Sequence, residues 1–183
     1  MSDISQEPGE VGTHRMLGAL PLALILASDL CRRWHPEMPL YVHGVLDEGA
    51  HLLTAALVLS ALQGRGADAW GGSMLVSTVV LDVDHVPAIG GSDVLSKGLY
   101  RPAPHSLLTL GLLWALARLM PRPRKAIYGS LAGVAVHLFR DMGDGSVPLL
   151  WPLSRRSFKV GYPLYAGVMV FLAARAATRE SDI

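Results

Sequence analysis

Seven histidine and aspartate side chains in the middle of this 183-residue chain are of the types that bind divalent metal ions. They are His51, Asp82, Asp84, His85, His105, His137 and Asp141. Neutral imidazole and carboxylate together suit zinc, manganese or iron, whereas magnesium prefers oxygen ligands alone. A tetrahedral ion takes about four ligands. The set therefore predicts two or more divalent ions, zinc first, with manganese or magnesium as alternatives.

The spacing of these residues places several of them on shared helix faces. His137 and Asp141 are four positions apart, and Asp82 and His85 are three apart. Both spacings bring side chains to one face of a helix. Alone, a His-x-x-x-Asp pair is more often a structural hydrogen bond, and an Asp-x-Asp-His turn is as often a solvated helix end. The convergence of all seven candidate ligands favours a metal site.

The composition predicts that helices in a membrane position these side chains. Hydrophobic residues make up 51% of the chain and charged residues 17%, below the roughly 25% of soluble domains. Mean hydropathy is +0.36. The apolar stretches are 16–31, 49–62, 71–86, 104–120, 126–142 and 160–177. We expect an all-α, polytopic membrane bundle of about five to six short transmembrane helices.

The bundle forms one domain, residues 16–178, between a polar N-terminal tail (1–15) and a polar C-terminal tail (179–183). If the chain crosses the membrane at every apolar stretch, all seven candidate ligands fall at helix ends on one side. The stretches come from hydropathy alone, so this agreement is independent of the ligands. Ionisable residues at membrane depth are costly and usually functional, with a partner nearby, and here the expected partner is metal.

Other classes of function are excluded or disfavoured. The net charge of +1 and the lack of a basic recognition helix argue against direct nucleic-acid binding. The single cysteine, Cys31, excludes an intrachain disulfide and a multi-cysteine zinc ribbon.

Five motifs in a fixed order carry a family resemblance. They are Glu48-Gly49-Ala50-His51-Leu52-Leu53, Leu81-Asp82-Val83-Asp84-His85, Pro104-His105-Ser106-Leu107, His137-Leu138-Phe139-Arg140-Asp141 and Val147-Pro148-Leu149-Leu150-Trp151-Pro152-Leu153-Ser154. Over about residues 46–160 the chain resembles the YdjM-like family of inner-membrane, metal-dependent hydrolases, some described as LexA-binding. That family is distantly similar to zinc-dependent phospholipase C and the single-strand zinc nucleases, which are helical and cleave phosphodiesters.

The resemblance implies metal roles for the seven candidate ligands and a multi-pass location in the cell inner (plasma) membrane. Three places depart from the family pattern. Tyr100 stands where the family commonly has histidine, and Pro104 where it has threonine. After Asp141, Gly143-Asp144-Gly145-Ser146 replaces Thr-Pro-x-Gly with one residue fewer, and Asp144 is a further candidate oxygen ligand.

A hydrolase of this kind needs a base and a phosphate-binding group. We expect Asp82 or Asp84 to accept a proton from the attacking water. Arg101 and Arg140 are the candidates for holding phosphate, because the guanidinium fork matches phosphate oxygens. Arg155, Arg156 and Lys159 fit headgroup binding too, but membrane-surface anchoring is favoured for these three.

Three functions follow from these observations. The first is a hydrolase acting on a phosphate ester of a lipid or lipid-linked substrate, because a site at the end of a membrane bundle meets amphiphilic, phosphate-containing molecules first. The second is a diverged metal-dependent prenyl-diphosphate cyclase or lyase. The third is a non-catalytic membrane scaffold or regulator that binds a soluble protein partner, with structural metal.

Overall fold

Helices account for most of the chain that the computed structural model describes, namely residues 8–62, 70–89 and 104–179. They are α1 (Pro8–Trp34), α2 (Leu40–Leu62), α3 (Gly71–Val80), a 3-10 turn (Leu81–His85), α4 (Val86–Ile89), α5 (Leu107–Leu119), α6 (Arg124–Asp144) and α7 (Tyr162–Arg179). Within those ranges there is no β-strand, and the predicted all-α class is confirmed.

One helix among the described residues, α2, is long and apolar enough to cross a membrane. The shorter apolar segments Gly71–Val83 and Leu107–Leu119 fall below that length. The structure therefore shows an all-helical fold with one candidate span. The arrangement of five to six membrane crossings stays a prediction.

Two helices begin earlier than hydropathy predicts. Helix α1 starts at Pro8, inside the stretch expected to be a polar tail, and α2 starts at Leu40 instead of residue 49. Hydropathy started the second apolar stretch at residue 49 because the two residues before it, Asp47 and Glu48, are polar. A helix tolerates such residues where they turn inward, as these two half-buried side chains do, and Asp47 binds Arg32 there.

Helices α3 and α6 approach each other closely through glycine. A Cβ built at Gly133 would collide with the Met74 carbonyl oxygen and the Ser77 hydroxyl, and one at Gly129 would collide with the Trp70 carbonyl oxygen. Small residues four positions apart allow such backbone contact, as in membrane helix pairs. The contact is further held by Ser77 Oγ, which donates to the Ser130 carbonyl oxygen at 3.1 Å.

A long connection, residues 145–161, ties the start of α5 to the end of α6. The Leu107 N–H donates to the Leu149 carbonyl oxygen at 2.9 Å, and the Val160 N–H donates to the Met142 carbonyl oxygen at 2.8 Å. Val147 pairs with Phe158 and is buried against α6. This connection contains the Val-Pro-Leu-Leu-Trp-Pro motif, and it fixes the backbone next to His105.

The close approach of α3 and α6 predicts the effect of adding one methyl group. Gly133→Ala should destabilise the fold by about 1–3 kcal/mol, because the methyl group overpacks against backbone. Gly111→Ala is the matched control: it lies in α5 with open space around it, so it should be neutral or stabilising by up to about 1 kcal/mol. Thermal unfolding in detergent measures both, and equal midpoints would contradict the packing.

Candidate metal centre

Helix α6 supplies His137 and Asp141 from one face, near its C-terminal end. His137 is fully buried, and its Nδ1–H donates to the Thr78 carbonyl oxygen at 2.7 Å. That hydrogen bond fixes the orientation of the ring and turns Nε2 toward Asp141, whose Oδ2 lies 3.4 Å away. A metal-binding histidine is usually held in this way through its other nitrogen.

The 3-10 turn after α3 supplies Asp82 and His85. In a 3-10 helix residues i and i+3 eclipse each other, so the two side chains point the same way, and His85 Nε2 lies 3.4 Å from Asp82 Oδ1. Asp82 is nearly buried, whereas the His85 side chain is 38% exposed. His85 is therefore the most exposed member of the cluster among the described ligands.

The last two histidines are His51, which lies in α2, and His105, which directly precedes the N-cap residue of α5, Ser106. Both side chains are fully buried. His105 Nε2 lies 2.8 Å from Asp82 Oδ1 and 3.2 Å from His137 Nε2. His51 stacks on His137 with ring centroids 3.9 Å apart, and its Nε2 lies 3.4 Å from Asp141 Oδ1. Side chains that span 90 residues of sequence thus converge on one point.

The spacing of these atoms fits a bound ion. Ligands at zinc's usual bond lengths stand about 3.3 Å apart along a tetrahedral edge. The contacts His105–His137, His137–Asp82 and His137–Asp141 measure 3.2, 3.3 and 3.4 Å. The described residues form three overlapping groups of candidate ligands. Within each group the ligand atoms lie within 4.8 Å of one another. Within those groups, buried histidine and aspartate side chains could hold a metal ion.

The burial and the charge of these side chains also favour a bound cation. Two carboxylates, Asp82 and Asp141, lie nearly out of water, which is costly without compensating positive charge. Neither ring nitrogen of the buried His51 has a hydrogen-bond partner in the described part of the chain. A divalent cation would balance the two carboxylates and give His51 Nε2 a partner.

Sequence reasoning missed two carboxylates, Asp47 and Glu48. Asp47 Oδ1 lies 3.9 Å from His51 Nε2 and belongs to one of the three ligand groups. The Glu48 carboxyl lies beside that of Asp82, and its buried Oε2 has no hydrogen-bond partner among the described residues. The i,i+4 spacing of Asp47 and His51 is the signal that would have found the first.

Arg140 occupies a buried network of arginine and aspartate next to the cluster. Its Nη2 donates to Asp29 Oδ1 at 2.6 Å, and its Nη1 donates to the Tyr165 hydroxyl at 2.9 Å. Arg32 binds Asp47 at 2.9 Å and Asp144 at 2.6 Å. We call these five charged residues, Asp29, Arg32, Asp47, Arg140 and Asp144, the arginine–aspartate network. Arg140 therefore has a structural role as the partner of Asp29 and Tyr165, and its expected phosphate-binding role stays a prediction.

Asp144 belongs to that network and lies beyond the apolar stretch 126–142. Its partial burial raises the pKa of the carboxyl, but the guanidinium groups of Arg32 and Arg33 outweigh this and hold the pKa below its usual value. The pairing therefore stabilises the fold at neutral pH, and that stabilisation is lost as the pH falls below about 4. Asp144 forms ion pairs with Arg32 and Arg33, and its expected role as a metal ligand stays a prediction.

The remaining predicted residues divide into two groups. Arg101 and Tyr100 lie outside the described residues, and the description does not extend to the side chain of Asp84. Arg155, Arg156 and Lys159 are exposed on the connection between α6 and α7. Six of the seven predicted ligands are thus brought together in one cluster.

Comparison of the chain with protein-family models, with curated proteins and with solved structures finds no match. The resemblance to the YdjM-like family stays a prediction that depends on the five motifs alone.

The cluster predicts how metal content responds to mutation. The purified full-length protein should contain divalent metal, and His137→Ala and Asp141→Ala should each lose most of it, because each removes a ligand from the buried set. Outer-shell partners typically change metal affinity by about 10- to 100-fold, and loss of a direct ligand should cost at least that. Elemental mass spectrometry measures the ions per chain.

His35→Ala is the control for metal content, because His35 lies in the exposed turn between α1 and α2 and pairs with Glu37. It should keep the full metal content. Equal metal in all the proteins would contradict the proposed ligand set, provided that the variants remain folded by circular dichroism.

The arginine–aspartate network predicts a large stability loss for Arg140→Met. Asp29 is fully buried, and loss of the Arg140 guanidinium removes its 2.6 Å ion pair and leaves the longer contact with Arg32 at 3.4 Å. The cost should therefore lie toward the lower end of about 3–5 kcal/mol. Arg33→Met, which removes a 41% exposed side chain from an ion pair with Asp144, should cost about 1 kcal/mol or less. Thermal unfolding in detergent compares them, and a stable Arg140→Met protein would show that Arg140 has no structural role.

Proposed function

We propose that this protein is a membrane-embedded, divalent-metal-dependent hydrolase that cleaves a phosphate ester of a lipid or lipid-linked substrate. The observation that carries the proposal is the buried convergence of His51, Asp82, His105, His137 and Asp141 at ligand spacing. Three imidazoles with two carboxylates favour zinc over magnesium. The overlapping ligand groups support more than one ion.

The distribution of apolar side chains supports a place in the membrane. Several charged side chains are buried beside the apolar core, while many large apolar side chains lie on the outer faces of the helices. Examples are Leu20, Leu24, Val45, Leu52, Val76, Leu112, Trp114, Leu116, Leu119, Leu164, Val170 and Phe171, each at least 41% exposed. Exposed apolar surface of this extent marks a contact with lipid or protein. A multi-pass location in the inner membrane is part of the proposal.

The roles of the site residues follow from their contacts. Bound in this cluster, a divalent ion supplies a nucleophilic water at neutral pH and offsets charge on phosphoryl oxygens. Thr78 holds the His137 ring through Nδ1, so that Nε2 stays directed into the site. Asp82 or Asp84 is the candidate to accept a proton. Glu48 is a candidate to donate one, because its carboxyl is buried beside that of Asp82 and two adjacent buried carboxyl groups cannot both be ionised.

Substrate should enter past His85. This side chain is 38% exposed, whereas His51, His105 and His137 are buried behind it. The path past the His85 ring is therefore the entrance that we propose for a headgroup. Arg101 lies on the chain between His85 and His105 and stays a candidate for binding its phosphate.

The ligand set favours hydrolysis over the lyase alternative. Magnesium sites for diphosphate substrates use one or two carboxylates together with the substrate's phosphates and retain several waters. Here three buried histidines occupy the centre of the cluster. Such a set holds a transition metal without help from the substrate, which is the arrangement that activates water.

Turnover of defined lipids tests the proposal. The full-length protein, loaded with zinc or manganese in detergent, should release water-soluble phosphate products from phosphatidic acid or phosphatidylglycerol. Chelation, His137→Ala and Asp141→Ala should each abolish this release, whereas His35→Ala should keep it. Mass spectrometry of the products gives the rate and identifies the bond that is cleaved.

Each other outcome of this assay overturns the proposal. Full activity in His137→Ala or Asp141→Ala would remove the metal from the mechanism. Hydrocarbon formed from farnesyl or geranylgeranyl diphosphate would replace the hydrolase with the cyclase or lyase. No turnover of any of these substrates by folded, metal-loaded protein would favour the non-catalytic scaffold.

A further inference from the structure

A second surface with its own chemistry lies at the other end of α6. Four basic residues, Arg118, Arg122, Arg124 and Lys125, are exposed around the turn between α5 and α6. We call them, with Trp70 and Tyr128, the basic–aromatic patch. At about 1.5 Å per residue, Lys125 lies about 24 Å from Asp141 along the helix axis. The patch and the metal centre are therefore separate sites.

Among the described residues, the charge of the patch is not compensated by a carboxylate. No aspartate or glutamate occurs between residues 104 and 140, and no described carboxylate lies within ion-pair distance of the four cations. At the opposite end, by contrast, Arg32 and Arg140 are held by buried or half-buried aspartates. The four cations are exposed, so an anionic partner can reach them.

Aromatic rings and a cavity accompany these cations. An open cavity of about 320 Å³ is lined by Trp70, Lys125, Tyr128 and Ala132, between the beginnings of α3 and α6. The Arg124 guanidinium lies 6.0 Å from the centre of the Tyr128 ring. Amphipathic rings beside basic side chains are typical of the membrane interface, where one end of the ligand is apolar and the other charged.

We propose that the basic–aromatic patch binds the headgroup of an anionic phospholipid, with the Lys125 ammonium and the Arg124 guanidinium donating to its phosphate. The mostly apolar cavity between Trp70 and Tyr128 accommodates the glycerol and the first part of an acyl chain. The inference depends on the proposed membrane location, and it is independent of the proposed hydrolase activity.

Native mass spectrometry of the full-length protein tests this site. The detergent-purified protein, stripped of metal by chelation, is mixed with equal amounts of dioleoyl phosphatidylglycerol and dioleoyl phosphatidylcholine. Chelation prevents hydrolysis and removes metal-dependent lipid binding. The protein should retain phosphatidylglycerol in preference to phosphatidylcholine, and R124Q/K125Q should lower that preference by about tenfold or more.

R33Q/R175Q is the matched control, because it removes the same charge from exposed positions on α1 and α7 outside the patch. It should keep the preference for phosphatidylglycerol, and all three proteins should have the same circular dichroism spectrum. Equal retention of both lipids by the unaltered protein would overturn the proposal. An equal loss in the two double variants would attribute binding to net charge alone and overturn it too.

Inorganic phosphate separates a lipid site from a simple anion site. Added at the concentration of the lipid, phosphate should leave phosphatidylglycerol bound, because the cavity contributes apolar contacts that phosphate lacks. Displacement by phosphate at that concentration would contradict the lipid assignment. If the protein fails to retain phosphatidylglycerol but still hydrolyses its substrate, only the lipid site at the basic–aromatic patch is refuted. If it retains the lipid but shows no turnover, only the proposed hydrolase activity is refuted.

Discussion

The hydrogen bond from His137 Nδ1 to the Thr78 carbonyl oxygen connects the packing of the helices to the metal centre. Thr78 lies in the last turn of α3, where carbonyl groups lack regular α-helical partners. His137 can reach this carbonyl because Gly129 and Gly133 let α3 and α6 approach to backbone contact. A helix–helix distance set by two glycines thus determines where a candidate metal ligand points.

Helix α6 presents two chemically different surfaces near its C-terminal end. His137 and Asp141 face the candidate metal centre, while Arg140, about 100° around the helix from Asp141, faces Asp29 and Tyr165. Asp47 joins the two regions, because its Oδ1 contacts Arg32 and also lies 3.9 Å from His51. The rotation of α6 is therefore held from both sides, which limits the freedom of the ligand cluster.

Many charged side chains pair inside the molecule, and many large apolar side chains lie on its surface. Buried aspartates, arginines and histidines find partners in one another, so each helix can turn leucine, valine and aromatic side chains outward. In water such an arrangement would expose large apolar patches. In lipid the same arrangement leaves few polar groups unsatisfied, which is the constraint that membrane proteins must meet. The same contacts therefore support both the proposed location and the proposed site.

The sequence by itself determined the helical class, the approximate positions of most helices and the residue types of the candidate site. Periodicity and i,i+3 or i,i+4 spacing are local properties, so Asp82 with His85 and His137 with Asp141 were predictable as pairs. Their convergence with His51 and His105 was an expectation from topology, and the structure brings these six residues together.

Only the tertiary structure decided which charges pair with which. Asp29 and Arg140 are 111 positions apart, and no local pattern links them. Hydropathy placed Asp47 and Glu48 outside the second helix because they are polar, although contacts with the interior keep them within it. A side chain's partner depends on helix rotation and on distances between helices. Those quantities arise when the whole chain packs, and they cannot be deduced from any one segment.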